Sequence, residues 1–144
     1  MLTVKDLMTP NPDTIAPDAT LGAAIAEMNR CDDRQLPVVD KYGRLAGMIT
    51  ERDIRLAVNS PLLSEDSTLR IRLLDRFLVE DCMTRHVVSV LPETPLHEAA
   101  KILASRRFGA LPVVVNDELV GILSVTDLLQ YLAREKVPMT DMPV

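Results

Sequence analysis

The sequence predicts a mixed α/β fold in which one β-α-β-β-α unit is built twice. Three observations carry that prediction. The chain nearly repeats itself at a spacing of 75 residues, the mark of a duplicated structural unit. Within each copy the apolar pattern switches between helix and strand periods in the same order. Apolar residues make up 47% of the 144, enough for a shared core, whereas a half of about 60 residues buries too little surface to be robust alone. The two halves are therefore expected to lean on each other.

The repeat runs through the chain in order. Shifted by 75, "KDLMT" (Lys5 to Thr9) falls on "EDCMT" (Glu80 to Thr84), Pro17 on Pro92, Leu21 on Leu96, and "LPVV" (Leu36 to Val39) on "LPVV" (Leu111 to Val114). A one-residue gap then changes the shift to 74, and "GMITERD" (Gly47 to Asp53) meets "GILSVTD" (Gly121 to Asp127). The gap falls where a hairpin turn is expected, between "DKYGR" and the shorter "NDE". Residues such as Gly, Asn and Asp tolerate length change there.

The elements follow from local pattern. A short extended piece comes first, around Asp13 to Ile15 and Val87 to Val90, with Pro17 and Pro92 marking a turn. A helix follows from about Thr20 to Arg30, with Leu21, Ala24, Ile25 and Met28 on one face. Its partner runs from about Pro95 to Arg106 with Leu96, Ala99, Ala100 and Leu103. Asp18 and Glu93 lie near the helix starts, where negative charge is favoured. Two strands come next, Pro37 to Val39 and Leu45 to Ile49, repeated in "LPVVVNDELVGIL". A second helix starts at Thr50 or Ser124, each opening a Ser/Thr-x-x-acid sequence.

The expected organisation is a first motif over 1–58, a connector over 59–79, a second motif over 80–134 and a frayed tail over 135–144. In the connector, "NSPLLSEDST" reads as a loop and "LRIRLLDRFLVED" as an amphipathic helix, with Leu69, Leu73, Arg76 and Phe77 near one face. Its plain role is to dock on the core; binding a partner is the sharper alternative.

Composition limits the function classes. The net charge of -5 disfavours a general grip on nucleic acid. No apolar run approaches the 18 to 20 residues or so needed to span a bilayer, and Lys5 and Asp6 interrupt any leader-like apolar core. Cys31 and Cys82 lack metal-type spacing and read as ordinary thiols of a reducing compartment. A cytoplasmic protein is expected. His86 and His97 lie outside the repeated motif, Asp32-Asp33 reads as a solvated helix end, and no hydrolase, zinc-protease or phosphate-loop signature occurs. No catalytic residue and no metal site are expected.

The repeated Gly-h-h-Thr/Ser-x-x-Asp stretch (h, apolar) carries the chemistry. A helix start offers free backbone N–H groups and partial positive charge. Thr50 or Ser124 can cap the helix or donate to a ligand oxygen. Asp53 or Asp127, one turn along, can accept two hydrogen bonds from a ribose diol. Gly47 and Gly121 leave room for close approach by backbone or ligand. Taken singly, each stretch is most simply a capping box; two copies in one frame point further.

"DLMT", "LPVVD" and "GMITERDI" in copy one, with "DCMT", "LPVVV" and "GILSVTDL" in copy two, resemble the CBS (cystathionine β-synthase) domain, and the pair resembles a Bateman module. The resemblance covers about Met1 to Ala133. It implies two motifs packed pseudo-symmetrically through their sheets, and a regulatory module rather than an enzyme. The ligand it implies is an adenine nucleotide (AMP, ADP or ATP) or a related adenosyl compound such as S-adenosylmethionine, held in clefts between the motifs. By position, Asp53 with Thr50 and Asp127 with Ser124 would hold ribose. Arg34, Gln35, Leu36 and Pro37, with Met48, would line the base or phosphate side of one cleft. Gly109, Ala110, Leu111 and Pro112, with Ile122, would line the other. Ser89 and Val90 would complete the Asp53 site, and Thr14 and Ile15 the Asp127 site. Arg34 suits a phosphate tail, which favours the Asp53 cleft for a charged ligand. With 3% aromatic residues, apolar walls and backbone hydrogen bonds must hold a base.

The resemblance also implies a homodimer and an unidentified regulated protein. Against this reading stands a constitutive dimerisation scaffold whose aspartates only cap helices. Nucleic-acid binding, known for some relatives, is disfavoured by the acidic balance.

Overall fold

The computed structural model describes residues 1–58 and 67–134. The loop expected over 59–66 and the frayed tail from residue 135 lie outside the described residues. In chain order the elements are α1 (Val4–Leu7), β1 (Thr9–Pro10), α2 (Leu21–Cys31), β2 (Gln35–Val39), β3 (Leu45–Thr50) and α3 (Glu51–Val58). After the undescribed stretch come α4 (Ser67–Arg76), α5 (Val79–Cys82), α6 (Leu96–Arg106), β4 (Ala110–Val115), β5 (Glu118–Ser124) and α7 (Val125–Arg134). The fold is mixed α/β with two small sheets, β2-β3 and β1-β5-β4. The chain divides into two compact units, one built around each copy.

The unit around copy one holds Pro12–Val88 with Asn116–Leu119. Its α2 starts where Thr20 Oγ1 accepts the Ala23 N–H at 3.1 Å and stops at Asp32, which takes the left-handed conformation at φ 54°. Asn and Asp tolerate that conformation because their short polar side chains bond locally. Leu21, Ala24 and Met28 turn inward and pack with Leu36 and Val38 of β2, Ile49 of β3, and Ile54 and Val58 of α3. The β2–β3 turn is closed by Asp40, whose Oδ1 accepts from the Tyr42 N–H at 2.8 Å and the Arg44 N–H at 3.0 Å. Gly43 sits there at φ 79°, and the register shifts by a bulge between Val38 and Val39.

The connector helix docks on this core, with Leu73 inside it and Leu74 against it. It does not run on to residue 81 as the pattern predicted. Leu78 is extended and bridges Thr20, because the Phe77 carbonyl accepts from the Leu21 N–H at 3.0 Å. The helix resumes as α5, where Asp81 Oδ2 accepts from the Leu78 N–H at 2.9 Å.

The unit around copy two holds Met1–Asn11, Ser89–Val115 and the described residues from Val120. Here α6 ends at Arg107 in the left-handed region at φ 55°. The shorter hairpin turns through Asn116 and Asp117, at φ 50° and 68°. Two adjacent positive-φ residues make the tight two-residue turn that matches strand twist. Val4, Ala99, Leu103, Leu111, Val113 and Leu123 are buried.

The compact units do not break where the repeat begins. Residues 1–11 open copy one yet belong to the unit built around copy two, while 79–88, which lead into copy two, belong to the unit around copy one. Each leader joins its unit through the same bonds. Val4 N–H donates to Thr94 O at 2.9 Å and Leu96 N–H to Leu2 O at 3.0 Å; Val79 N–H donates to Ala19 O at 2.8 Å and Leu21 N–H to Phe77 O at 3.0 Å.

Candidate functional site

The repeated motif forms the same cap twice. Thr50 N–H donates to Asp53 Oδ2 at 2.9 Å and Asp53 N–H to Thr50 Oγ1 at 3.1 Å. Ser124 N–H donates to Asp127 Oδ2 at 2.9 Å and Asp127 N–H to Ser124 Oγ at 3.0 Å. A further donor of each helix is taken by the residue just ahead of the first strand of its hairpin. Glu51 N–H reaches the Arg34 carbonyl at 2.8 Å, and Val125 N–H the Gly109 carbonyl at 3.0 Å. The amides of each first turn are therefore largely satisfied from within, and the helix start is a weaker anion site than its sequence suggests. Among the described residues no hydrogen bond reaches the second carboxylate oxygen, Oδ1, of Asp53 or of Asp127. Both residues are half-buried.

Strand register gathers the other candidates. In copy one, Gln35 lies opposite Thr50 and Pro37 opposite Met48, so Arg34, Gln35, Pro37, Met48, Thr50 and Asp53 share one end of the β2–β3 pair. Leu36 is 1% exposed and Leu111 0%. Their side chains pack in the cores and present no surface to a ligand. Pro37 and Pro112 are fully buried too, and Met48, Ala110 and Ile122 nearly so. Arg34 and Gly109 are exposed, and Gln35 half-buried. Glu51 stands between two arginines, Oε2 at 3.8 Å from Arg34 Nε and Oε1 at 4.0 Å from Arg55 Nε. Such loose, exposed pairs hold little energy, so Arg34 can leave Glu51 at small cost.

Thr14 and Ile15 sit elsewhere in this unit. Ile15 lies along the edge of β2 away from β3, its N–H donating to Pro37 O and its carbonyl accepting from Val39 N–H, both at 3.1 Å. With Asp18, Val39, Tyr42 and Glu80 the pair lines a cavity of about 630 Å³. Val90 repeats the pairing, donating to Pro112 O at 3.1 Å and accepting from Val114 N–H at 3.0 Å. Ser89, beside it, is exposed.

Two residues outside the expected set stand at the same strand ends. Thr84 exchanges both backbone bonds with Met48, at 3.0 and 2.8 Å. Thr9 pairs with Ile122. Both threonines are exposed. The available signal was the Met-Thr dipeptide, repeated at the same shift as the rest. Their passage also gives the motif glycine its purpose. A Cβ on Gly47 would meet Thr84 O at 2.5 Å and Met83 Sδ at 3.0 Å, and one on Gly121 would meet Met8 Sδ at 2.6 Å and Thr9 O at 3.1 Å. Of the two approaches left open by the sequence, backbone or ligand, the space is taken by protein.

Cys82 lies close enough to Asp53 to feel its charge. Burial raises its thiol above the ordinary range, with Asp81 and then Asp53 adding to the effect. Both cysteines are unpaired. Among the described residues no three His, Cys, Asp or Glu side chains group to hold a metal, and no helix is long and apolar enough to cross a membrane. His86 and His97 are exposed.

Comparison with known proteins agrees with this architecture. The model of the CBS domain matches twice, over residues 4–60 and 79–134. A CBS domain-containing protein of Dictyostelium discoideum is 38% identical over 138 residues, spanning 94% of this chain and 95% of that one. Another, from Bacillus subtilis, is 31% identical over 128 residues, spanning 89% and 84%. Among solved structures, the CBS-pair protein CBSX2 of Arabidopsis thaliana superposes with a TM-score of 0.80 at 29% identity, covering 92% of this chain and 94% of that one. CBSX2 has also been solved in complex with AMP, a structure matching at 0.77 and 27% over 93% and 98%.

Proposed function

Because this chain belongs to the CBS domain family and carries the domain twice, we propose that it is a ligand-sensing regulatory module rather than an enzyme. Its ligand is an adenine nucleotide (AMP, ADP or ATP) or S-adenosylmethionine, bound at the Thr50–Asp53 and Ser124–Asp127 helix starts. One observation carries this reading: in both copies the aspartate spends one carboxylate oxygen on its own cap and keeps the other for a ribose hydroxyl. A carboxylate so fixed is pre-oriented for a diol. The solved AMP complex of CBSX2 supports the ligand class. Arg34, Gln35 and Met48 serve the Asp53 site with Thr84 beside them; Gly109, Ala110 and Ile122 serve the Asp127 site with Thr9.

The protein acts as a homodimer in a reducing cytoplasm and passes the signal to a partner protein. Ligand shifts its arrangement only through different affinity for two states. Thermal-shift titration with AMP, ATP and S-adenosylmethionine tests the reading: a saturable rise in melting temperature supports it, and no response to any of the three refutes it.

A second reading has its own observation. Both aspartates are engaged in caps, as a constitutive scaffold requires. That scaffold predicts lost stability and no ligand effect when they are replaced.

A further inference from the structure

The Met1–Asn11 leader rests on the unit of copy two with one of its residues buried, Val4 at 0% exposed. Around it, Val4 N–H donates to Thr94 O and Lys5 N–H to Pro92 O, both at 2.9 Å, and Leu96 N–H to Leu2 O at 3.0 Å. Past Met8 the hold is thin. Strand β1 pairs with β5 at two positions, Thr9 with Ile122 and Pro10 with Gly121, and proline has no N–H to add to that ladder. Asn11 follows in the left-handed region at φ 48°, its N–H 3.3 Å from Val120 O. Thr9, Pro10 and Asn11 are all exposed. A segment with one buried residue and so short a ladder opens at a lower free energy than the core it rests on.

The stretch of β5 that seats the leader runs straight into the candidate site. A Cβ on Gly121 would meet Met8 Sδ at 2.6 Å and Thr9 O at 3.1 Å. Further along the same strand, Ser124 N–H donates to Asp127 Oδ2 at 2.9 Å. Cross-strand partners share a sheet face, and so do alternate residues of one strand. Thr9, Ile122 and Ser124 therefore stand on one face, while Leu123 turns into the core at 0% exposed. Thr9 and Ser124 are diagonal neighbours on that face, a spacing of about 7–8 Å between backbones. That is too long for a direct hydrogen bond and suits a molecule held between the Thr9 hydroxyl and the capped Asp127.

We infer that an adenosyl ligand at the Ser124–Asp127 site bonds the Thr9 hydroxyl as well as the Asp127 carboxylate, and so clamps the Met1–Asn11 leader onto its unit. The inference rests on the adenosyl reading above and adds its regulation: occupancy of this site is read out as docking of the leader. The two events are reciprocal. Ligand that binds more tightly when the leader is docked favours the docked leader by the same factor, and an open leader loosens the ligand.

The test uses the full chain carrying Asp53→Asn, which leaves the Asp127 site intact. AMP and S-adenosylmethionine are titrated by calorimetry, and hydrogen exchange over residues 2–11 is followed by mass spectrometry with the one that binds. At saturation it should slow exchange in the leader by about threefold to tenfold, the worth of one hydrogen bond. Thr9→Val keeps the branched shape and loses the hydroxyl. It should leave exchange without ligand as it was, weaken binding by the same factor and abolish the slowing. Binding heat with unchanged exchange in the leader overturns the inference and leaves the adenosyl reading standing. So does a Thr9→Val chain that binds as tightly as its parent. No heat from either compound with the Asp53→Asn chain also overturns the inference, and if the chain without that substitution is silent too, the adenosyl reading falls with it.

Discussion

Thr84 crosses Gly47 so closely that its carbonyl oxygen lies 2.5 Å from where a Cβ on that glycine would be. The obstacle is backbone, held by two hydrogen bonds to Met48, and cannot swing aside. Gly47→Ala should therefore destabilise the chain by about 1–3 kcal/mol. Gly121→Ala should cost less, because the nearest atom there is the flexible Met8 Sδ. Urea denaturation of the two variants checks the order.

The caps contribute to stability whatever they bind. Thr50→Ala and Ser124→Ala each remove the acceptor of an N3 amide and should cost about 0.5–2 kcal/mol. Asp53→Asn and Asp127→Asn keep an oxygen for the cap and should cost less. Thermal melts without ligand separate the two classes.

Gly43 tests backbone strain in isolation. It sits at φ 79°, and no atom lies within 4 Å of a Cβ built there. Gly43→Ala should cost about 1–2 kcal/mol from the left-handed conformation alone. Gly43→Asn should cost less, since Asn tolerates that region. Chemical denaturation of both variants measures the difference.

The thiols predict an alkaline limit. Burial raises Cys82, helped by Asp81 and Asp53, and burial raises Cys31, helped by Asp13 and Asp33. The unfolded chain therefore gives up these protons first. Their contribution to stability is complete below the unfolded thiol value of about 8.5 and is lost as pH rises through the folded values. Urea midpoints should begin to fall above that pH, and the fall should shrink when both cysteines are Ala.

Much of this fold was legible because its elements are long enough to show a period. The face Leu21, Ala24, Met28 marked α2, and Thr20 marked its start. Helices α1 and α5 were not legible, since four residues complete barely one turn. The break at Leu78 was missed because it answers to Thr20, far away in sequence. At the site, Thr50-x-x-Asp53 announced a capping box and its geometry bears that out. Leu36 and Leu111 looked like lining residues, yet strand alternation turns them into the cores. Thr9 and Thr84 went unnoticed because strand pairing, not spacing, carries them to Ile122 and Met48.

The most direct test of the central claim is calorimetric titration of AMP into the full chain and into an Asp53→Asn, Asp127→Asn double variant. Saturable binding to the parent is predicted, lost or weakened by about tenfold or more in a double variant that stays folded, as removing a charged hydrogen-bond acceptor implies. Undiminished binding in that variant, or no heat from AMP, ADP, ATP or S-adenosylmethionine with the parent, would contradict it.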